Sequence, residues 1–226
     1  MQLTTSTKEE QISMRTRLTP RITPRITSRI TQVLLAGTAA VTAVLALSVA
    51  PASAVTATFT VSPGGSYTGS AGTTTLTDTT TGSALTCKSA TAAGTLKSGS
   101  GLSGTGIGTI TSTTFTTCTG PLGLTFTVKQ SGTWNLNITS NSGGVSTGFI
   151  SAVKASLSGP LCSATVTGSA DATYTNSTGV LTVKPVSGSG HTLTVSGVSG
   201  CLGLINNGNT STFNGAFTIS PKQTIT

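Results

Sequence analysis

From Val55 onward the chain alternates. Val55-Thr-Ala-Thr-Phe59-Thr-Val61 puts Val55, Ala57, Phe59 and Val61 on one side of an extended backbone and threonines on the other. Leu124-Thr-Phe126-Thr-Val128, Trp134-Asn-Leu136-Asn-Ile138, Leu193-Thr-Val195 and Phe217-Thr-Ile219 repeat the design, with Phe213 just ahead of the last. A period of two marks a half-buried strand. Threonine suits the wet face because its branched β-carbon fits the pleat. Turn material separates the runs at Pro63-Gly64-Gly65, Gly99 to Gly108, Asn141 to Gly144, Gly188 to Gly190 and Asn206-Asn207-Gly208. No helix-period stretch follows residue 54. Short strands joined by glycine-rich turns predict an all-β fold, a β-sandwich or barrel-like sandwich.

What precedes residue 55 is different chemistry. Residues 1–32 carry Lys8, Arg15, Arg17, Arg21, Arg25 and Arg29 against Glu9 and Glu10, and residues 33–50 carry no charge. Pro51 and Ala52-Ser53-Ala54 follow. A basic start, an apolar middle and a small-x-small end are the parts of a secretory signal peptide. The expectation is a signal-peptide helix over the apolar run, cleavage between Ala54 and Val55, and a secreted, extracellular product of residues 55–226. Translation from Met1 or Met14 leaves a basic leader in either case. The apolar run is near the lower limit for spanning a bilayer, so no integral membrane segment is expected after processing. The chain stops at Ile225-Thr226 without an apolar run, which favours free secretion over covalent anchoring.

Removing the leader changes the charge argument. The whole chain has a formal charge of +8. Beyond residue 54 there remain Lys88, Lys97, Lys129, Lys154, Lys184 and Lys222 against Asp78 and Asp171, with no Arg and no Glu. Scattered lysines do not make the concentrated basic face that nucleic acid requires, so no nucleic-acid partner is expected.

The cysteines, Cys87, Cys118, Cys162 and Cys201, all follow the leader. An even number in an exported chain reads as two disulfides. Three pairings are open. A faint internal repeat favours one: Leu85-Thr-Cys87-Lys-Ser-Ala-Thr91 matches Leu161-Cys162-Ser-Ala-Thr165, and Cys118-Thr-Gly-Pro-Leu-Gly resembles Cys201-Leu-Gly-Leu. The repeat implies two related halves, about 55–140 and 141–226, and Cys87–Cys118 with Cys162–Cys201. A metal site is not expected, since the cysteine spacings are long and His191 is the one histidine.

Candidates for catalysis are few. Asp78 and Asp171 are the available carboxylates, and nothing in the sequence brings them together as glycoside hydrolysis needs. Gly144-Val-Ser146-Thr-Gly148 fits a nucleophile-elbow pattern but lacks the helix that must follow it. His191 reads as a loop or strand-edge residue, and Trp134 as a core anchor. No catalytic, cofactor-binding or metal residue is assigned, and the chain is read as a non-enzyme without a cofactor.

The run Ala57-Thr-Phe-Thr-Val-Ser-Pro-Gly-Gly65, the segment Ser158-Gly-Pro-Leu-Cys162 and the ending Phe217-Thr-Ile-Ser-Pro-Lys-Gln-Thr-Ile225 resemble uncharacterised secreted proteins of high-GC Gram-positive bacteria, over nearly all of residues 55–226. More distantly, the cysteine layout, the Trp134 region and the Ser-Pro-x-Gln-Thr-Ile ending are similar to the secreted protein activators of alkane oxidation. That resemblance implies a non-enzymatic extracellular protein that helps emulsify hydrocarbons, and it transfers no functional residue. The leading expectation is a secreted, non-catalytic protein acting at the cell surface or at an apolar–water interface. An extracellular carrier of an apolar small molecule is the alternative, and a secreted hydrolase using His191 the third.

Overall fold

Alternation becomes strand pairing in the computed structural model, which describes residues 57–226. The leader, its expected helix and the Ala54–Val55 cleavage site lie outside the described residues. The strands are β1 (Thr58–Ser62), β2 (Gly65–Ala71), β3 (Thr74–Asp78), β4 (Ala84–Leu96), β5 (Gly99–Ser103), β6 (Gly108–Thr119), β7 (Thr125–Gln130), β8 (Trp134–Ser142), β9 (Val145–Gly159), β10 (Cys162–Thr175), β11 (Val180–Val183), β12 (Leu193–Gly200), β13 (Thr210–Ser220) and β14 (Thr224–Ile225). The fold is all-β, as the period of two predicts.

The pairings close the large sheet on itself. β4 pairs with β6, β9 with β10, and β4, β6, β9, β10 and β13 span both ends. Between them lie staves made of two shorter strands laid end to end: β2 then β3, β7 then β8, and β12 with β11. The result is an antiparallel barrel of eight staves. At that size the interior is just wide enough to be filled by side chains or to hold one small ligand. Tyr67, Trp134, Val166, Val195, Phe217 and Ile219 point inward and are buried. Trp134 is the expected core anchor, 8% exposed, with its indole N–H donating to the Lys154 carbonyl at 3.2 Å.

The outer wall is hydroxyl-rich. Thr218, Ser70, Thr91 and Thr114 are register partners on neighbouring staves, and all are exposed. Asn214, Thr75, Thr86, Thr119 and Thr125 form a second row of register partners, in which Thr75 is half-buried and the others are exposed. Cross-strand neighbours stand about 4.8 Å apart, so each row is a closely spaced line of polar groups. A membrane-spanning barrel carries an apolar band here instead.

A smaller sheet of β14, β1 and β5 plugs one end. Phe59, Val61, Ile107 and Ile225 are buried beneath it. Asn141 and Asn176, from the β8–β9 and β10–β11 ends, donate through Nδ2 to the Ile225 carbonyl at 2.9 and 2.8 Å. Gln223 is fully buried: its Oε1 accepts from the Gly64 N–H, its Nε2 donates to the Pro221 carbonyl, and its N–H donates to Tyr174 Oη. That plug includes β5, which forms within the Gly99–Gly108 stretch that composition assigns to a turn.

The two expected halves share one core. The boundary expected near residue 140 falls inside β8, and the β8–β9 hairpin pairs across it. Residues on both sides of it belong to one unit. The disulfides join the cysteines within each half: Cys87 to Cys118 between β4 and β6, and Cys162 to Cys201 between β10 and the end of β12.

Candidate functional site

The unplugged end is built from four connections: residues 79–83, 120–124, 160–161 and 201–209. The second cysteine of each bridge anchors one of them. After Cys118 comes a 3₁₀ turn at Pro121–Gly123, and Cys201 itself opens another at Cys201–Gly203. Both turns hold the same three residues, Leu122-Gly123-Leu124 and Leu202-Gly203-Leu204. In each, the first leucine is left-handed, at φ 59° for Leu122 and 49° for Leu202. The following glycines, Gly123 and Gly203, also have positive φ. The second leucine turns inward and lines a cavity of about 50 Å³.

Left-handed backbone is unfavourable for leucine, by roughly 1–2 kcal/mol per residue, because its Cβ approaches the following carbonyl. Exposing the side chain adds a second departure from the usual pattern. Leu122 is 79% exposed and Leu202 74% exposed, and Leu161, in the β9–β10 turn, is 65% exposed. Leu161 neighbours Leu202, since the Cys201 N–H donates to the Leu161 carbonyl at 3.0 Å. Phe126 lies between the other pair of turns: a Cβ at either Gly120 or Gly159 would run into its ring. Leu122, Leu161 and Leu202 therefore crown one end of the barrel, above a cavity also lined by Pro121, Phe126 and Ile205. Asp78 is the ionisable group among the lining residues.

Composition treats exposed leucine as noise, and alternation looks only for buried positions, so neither finds this rim. The available signal was the duplicated Leu-Gly-Leu following the second cysteine of each half.

Asp78 sits at the base of the rim and holds it in shape. Its Oδ1 accepts from the Thr80 and Thr81 N–H groups at 2.8 and 2.9 Å, and its Oδ2 accepts from Asn209 Nδ2 at 2.7 Å. Burial alone would raise its pKa, but these hydrogen bonds outweigh it and hold the carboxyl below its ordinary value.

The remaining candidates gather on the outer wall. Asp171 Oδ2 accepts from the Val186 N–H at 2.9 Å and from the Ser189 hydroxyl at 2.8 Å. Ser189 Oγ in turn accepts from the His191 N–H at 3.2 Å. The His191 ring stacks on Phe149, with centroids 4.0 Å apart, and its Nδ1 lies 3.1 Å from Ser169 Oγ. Asp171 thus organises the 184–192 loop, and the imidazole meets a hydroxyl rather than the orienting carboxylate of a triad. Asp78 and Asp171 occupy separate places. Ser146 is 2% exposed at the start of strand β9 and accepts from Asn141 Nδ2 at 2.8 Å, so the Gly-x-Ser-x-Gly sequence forms no exposed elbow.

The tyrosines give a pH signature. Burial pushes the Tyr67 phenol far above its ordinary value. Burial also raises Tyr174, against the smaller opposing effect of the hydrogen bond from the Gln223 N–H. A raised phenol pKa means that the folded state holds its proton longer than the unfolded chain does. The stabilisation is complete below about pH 10, the unfolded value, and is lost as pH rises beyond it. For Asp78 the sign reverses: its contribution is complete above about pH 4 and is lost as pH falls through the depressed value. Melting temperature followed by circular dichroism is expected to fall steeply above about pH 10, and replacing Tyr67 by Phe is expected to blunt that fall.

A scan against models of known protein families finds no match. Comparisons with curated proteins and with solved structures likewise find none.

Proposed function

We propose that this is an exported, non-catalytic protein that acts at an apolar–water interface, presenting the rim of Leu122, Leu161 and Leu202 to the apolar phase. The observation that carries the reading is the duplicated turn: two leucines are held both exposed and left-handed at the same end of the barrel. A backbone outlier that persists in duplicate, where asparagine or glycine would sit without cost, points to a role for the side chain. The hydroxyl-covered wall complements it by keeping the rest of the barrel in water.

Magnitudes support adsorption that is real but reversible. Transferring a leucine side chain from water is worth about 1.5–3 kcal/mol, so the partly exposed rim contributes roughly 5 kcal/mol before the cost of orienting the molecule. Such attachment is apolar rather than ionic. Adsorption to hexadecane droplets, measured by depletion of protein from the aqueous phase, is therefore expected to be unchanged between about 0.05 and 0.5 M NaCl, a range over which the screening length falls several-fold. A collapse of adsorption at the higher salt would place the contact on the lysines and end the rim reading.

A further inference from the structure

The barrel interior holds a second feature that the rim does not explain. A cavity of about 90 Å³ lies within it, walled by large side chains such as Trp134, Ile150, Phe115 and Phe213. It presents no polar surface, so Tyr67, Thr74 and Thr113 border it through carbon. Three small residues also line it: Ala92 on β4, Ala155 on β9 and Ala170 on β10. The same three strands bring Leu85, Leu157 and Val166 to the same wall. A larger apolar side chain at any of the alanines would therefore take up part of the space. Protein interiors leave few voids larger than a water, and an empty one lowers stability in proportion to its volume. Here alanine keeps such a void open from three strands.

The chemistry of the wall narrows the occupant. A buried water needs two to four polar partners, and none faces the space, so it is dry. No Lys, His or Asp lines it among the described residues, and an ion would lie there without a counter-charge, which is strongly unfavourable. A hydroxyl or carbonyl would give up its hydrogen bonds to water and gain none. A molecule of carbon and hydrogen alone loses nothing on entry. Size sets a further limit. An apolar cavity of about 150 Å³ takes benzene, so this smaller one suits a hydrocarbon of about five carbons or fewer.

We infer that the barrel lumen is a binding site for one small hydrocarbon without any hydrogen-bonding group, seated against Trp134 in the space that Ala92, Ala155 and Ala170 leave. The plug of β14, β1 and β5 closes one end, and the cavity beneath the rim shares Leu76, Leu85, Leu157 and Val166 with the central one, so entry is from the rim end. Binding in solution does not depend on adsorption, and this inference stands or falls apart from the interface reading.

Trp134 is the single tryptophan of the chain and lines the cavity, so its fluorescence reports occupancy directly. n-Pentane and 1-butanol have the same number of heavy atoms and nearly the same shape, and differ by a terminal methyl against a hydroxyl. Titration of the purified protein in sealed cells is expected to give a saturable fluorescence change with n-pentane and at least about tenfold weaker affinity for 1-butanol, whose hydroxyl finds no partner. Ala155→Val and Ala92→Val, made separately, each fill part of the void. Each is expected to weaken n-pentane binding at least about tenfold, while the urea midpoint without ligand stays at or above the native one. Replacing Leu122, Leu161 and Leu202 by polar residues is expected to leave n-pentane affinity unchanged, which separates the lumen from the rim. Absence of a saturable change with n-pentane overturns the inference, and so does equal affinity for 1-butanol. Undiminished n-pentane binding in the folded alanine variants, or its loss in the rim variant, also overturns it. If both alanine substitutions lower the midpoint, the comparison of n-pentane with 1-butanol in the native chain decides alone.

Discussion

Replacing both cysteines of either bridge by serine is expected to lower unfolding free energy by about 4 kcal/mol, the chain-entropy value for loops of this length. The partners are separated by 31 residues in Cys87–Cys118 and by 39 in Cys162–Cys201. Each bridge removes a large set of unfolded conformations, so its loss acts mostly on the unfolded chain. Serine adds a native-state cost, because Cys87, Cys118 and Cys201 are each no more than 4% exposed, and a buried hydroxyl without a partner is unfavourable. Urea denaturation followed by Trp134 fluorescence measures the change as a shift of midpoint. The two bridges differ in a second readout. Cys201 is itself left-handed, at φ 59°, and starts the turn that holds Leu202. Its loss is expected to reduce adsorption to apolar droplets as well as stability. The Cys87–Cys118 bridge ends two residues before the Gly120 turn, so its removal loosens the Leu122 turn instead.

The second large effect is Gly94→Ala. Gly94 lies on β4 where the register with β6 shifts. A Cβ there would land on the Thr109 carbonyl oxygen and press on Tyr67 Oη, which itself donates to that carbonyl at 3.0 Å. Backbone is on the receiving side of the clash, so relief requires the two long strands to separate in the middle of a closed barrel. A loss of about 3 kcal/mol or more is expected, at the upper end of overpacking effects. Gly72→Ala is the control: it sits between β2 and β3, and a Cβ there meets nothing. Its effect is expected to stay within about 0.5 kcal/mol of zero, or to stabilise slightly by restricting the unfolded chain. Paired urea curves for the two variants check both statements.

The strands were legible because burial and period agreed. Phe59, Val61, Leu193, Val195, Phe217 and Ile219 are all buried where alternation puts them. The two-half repeat also anticipated the disulfide partners. Closure was not legible, because it depends on pairings distant in sequence. β13 bonding to β2 and β3 is what seals the barrel, and no local pattern encodes it. Irregularities were hidden for a related reason. Thr117 takes φ 50° and lies within a register shift between β6 and β7, and nothing in its surroundings announces this. Asn137 looks like a wet-face residue, yet it is 7% exposed and bonds the Gly106 N–H and Ser151. The rim stayed invisible because a leucine beside glycine reads as turn filler until the backbone angle and exposure are known.

Interfacial tension at a hexadecane drop, compared between the native protein and a variant carrying Leu122→Asn, Leu161→Ser and Leu202→Asn, tests the central claim most directly. Asparagine accepts the left-handed backbone far better than leucine, so the two turns keep their shape and the variant's melting temperature is expected to equal or exceed the native value. The native protein is expected to lower the tension of the drop at concentrations where this equally stable variant leaves it near that of buffer. Equal lowering of the tension by both proteins would contradict the account.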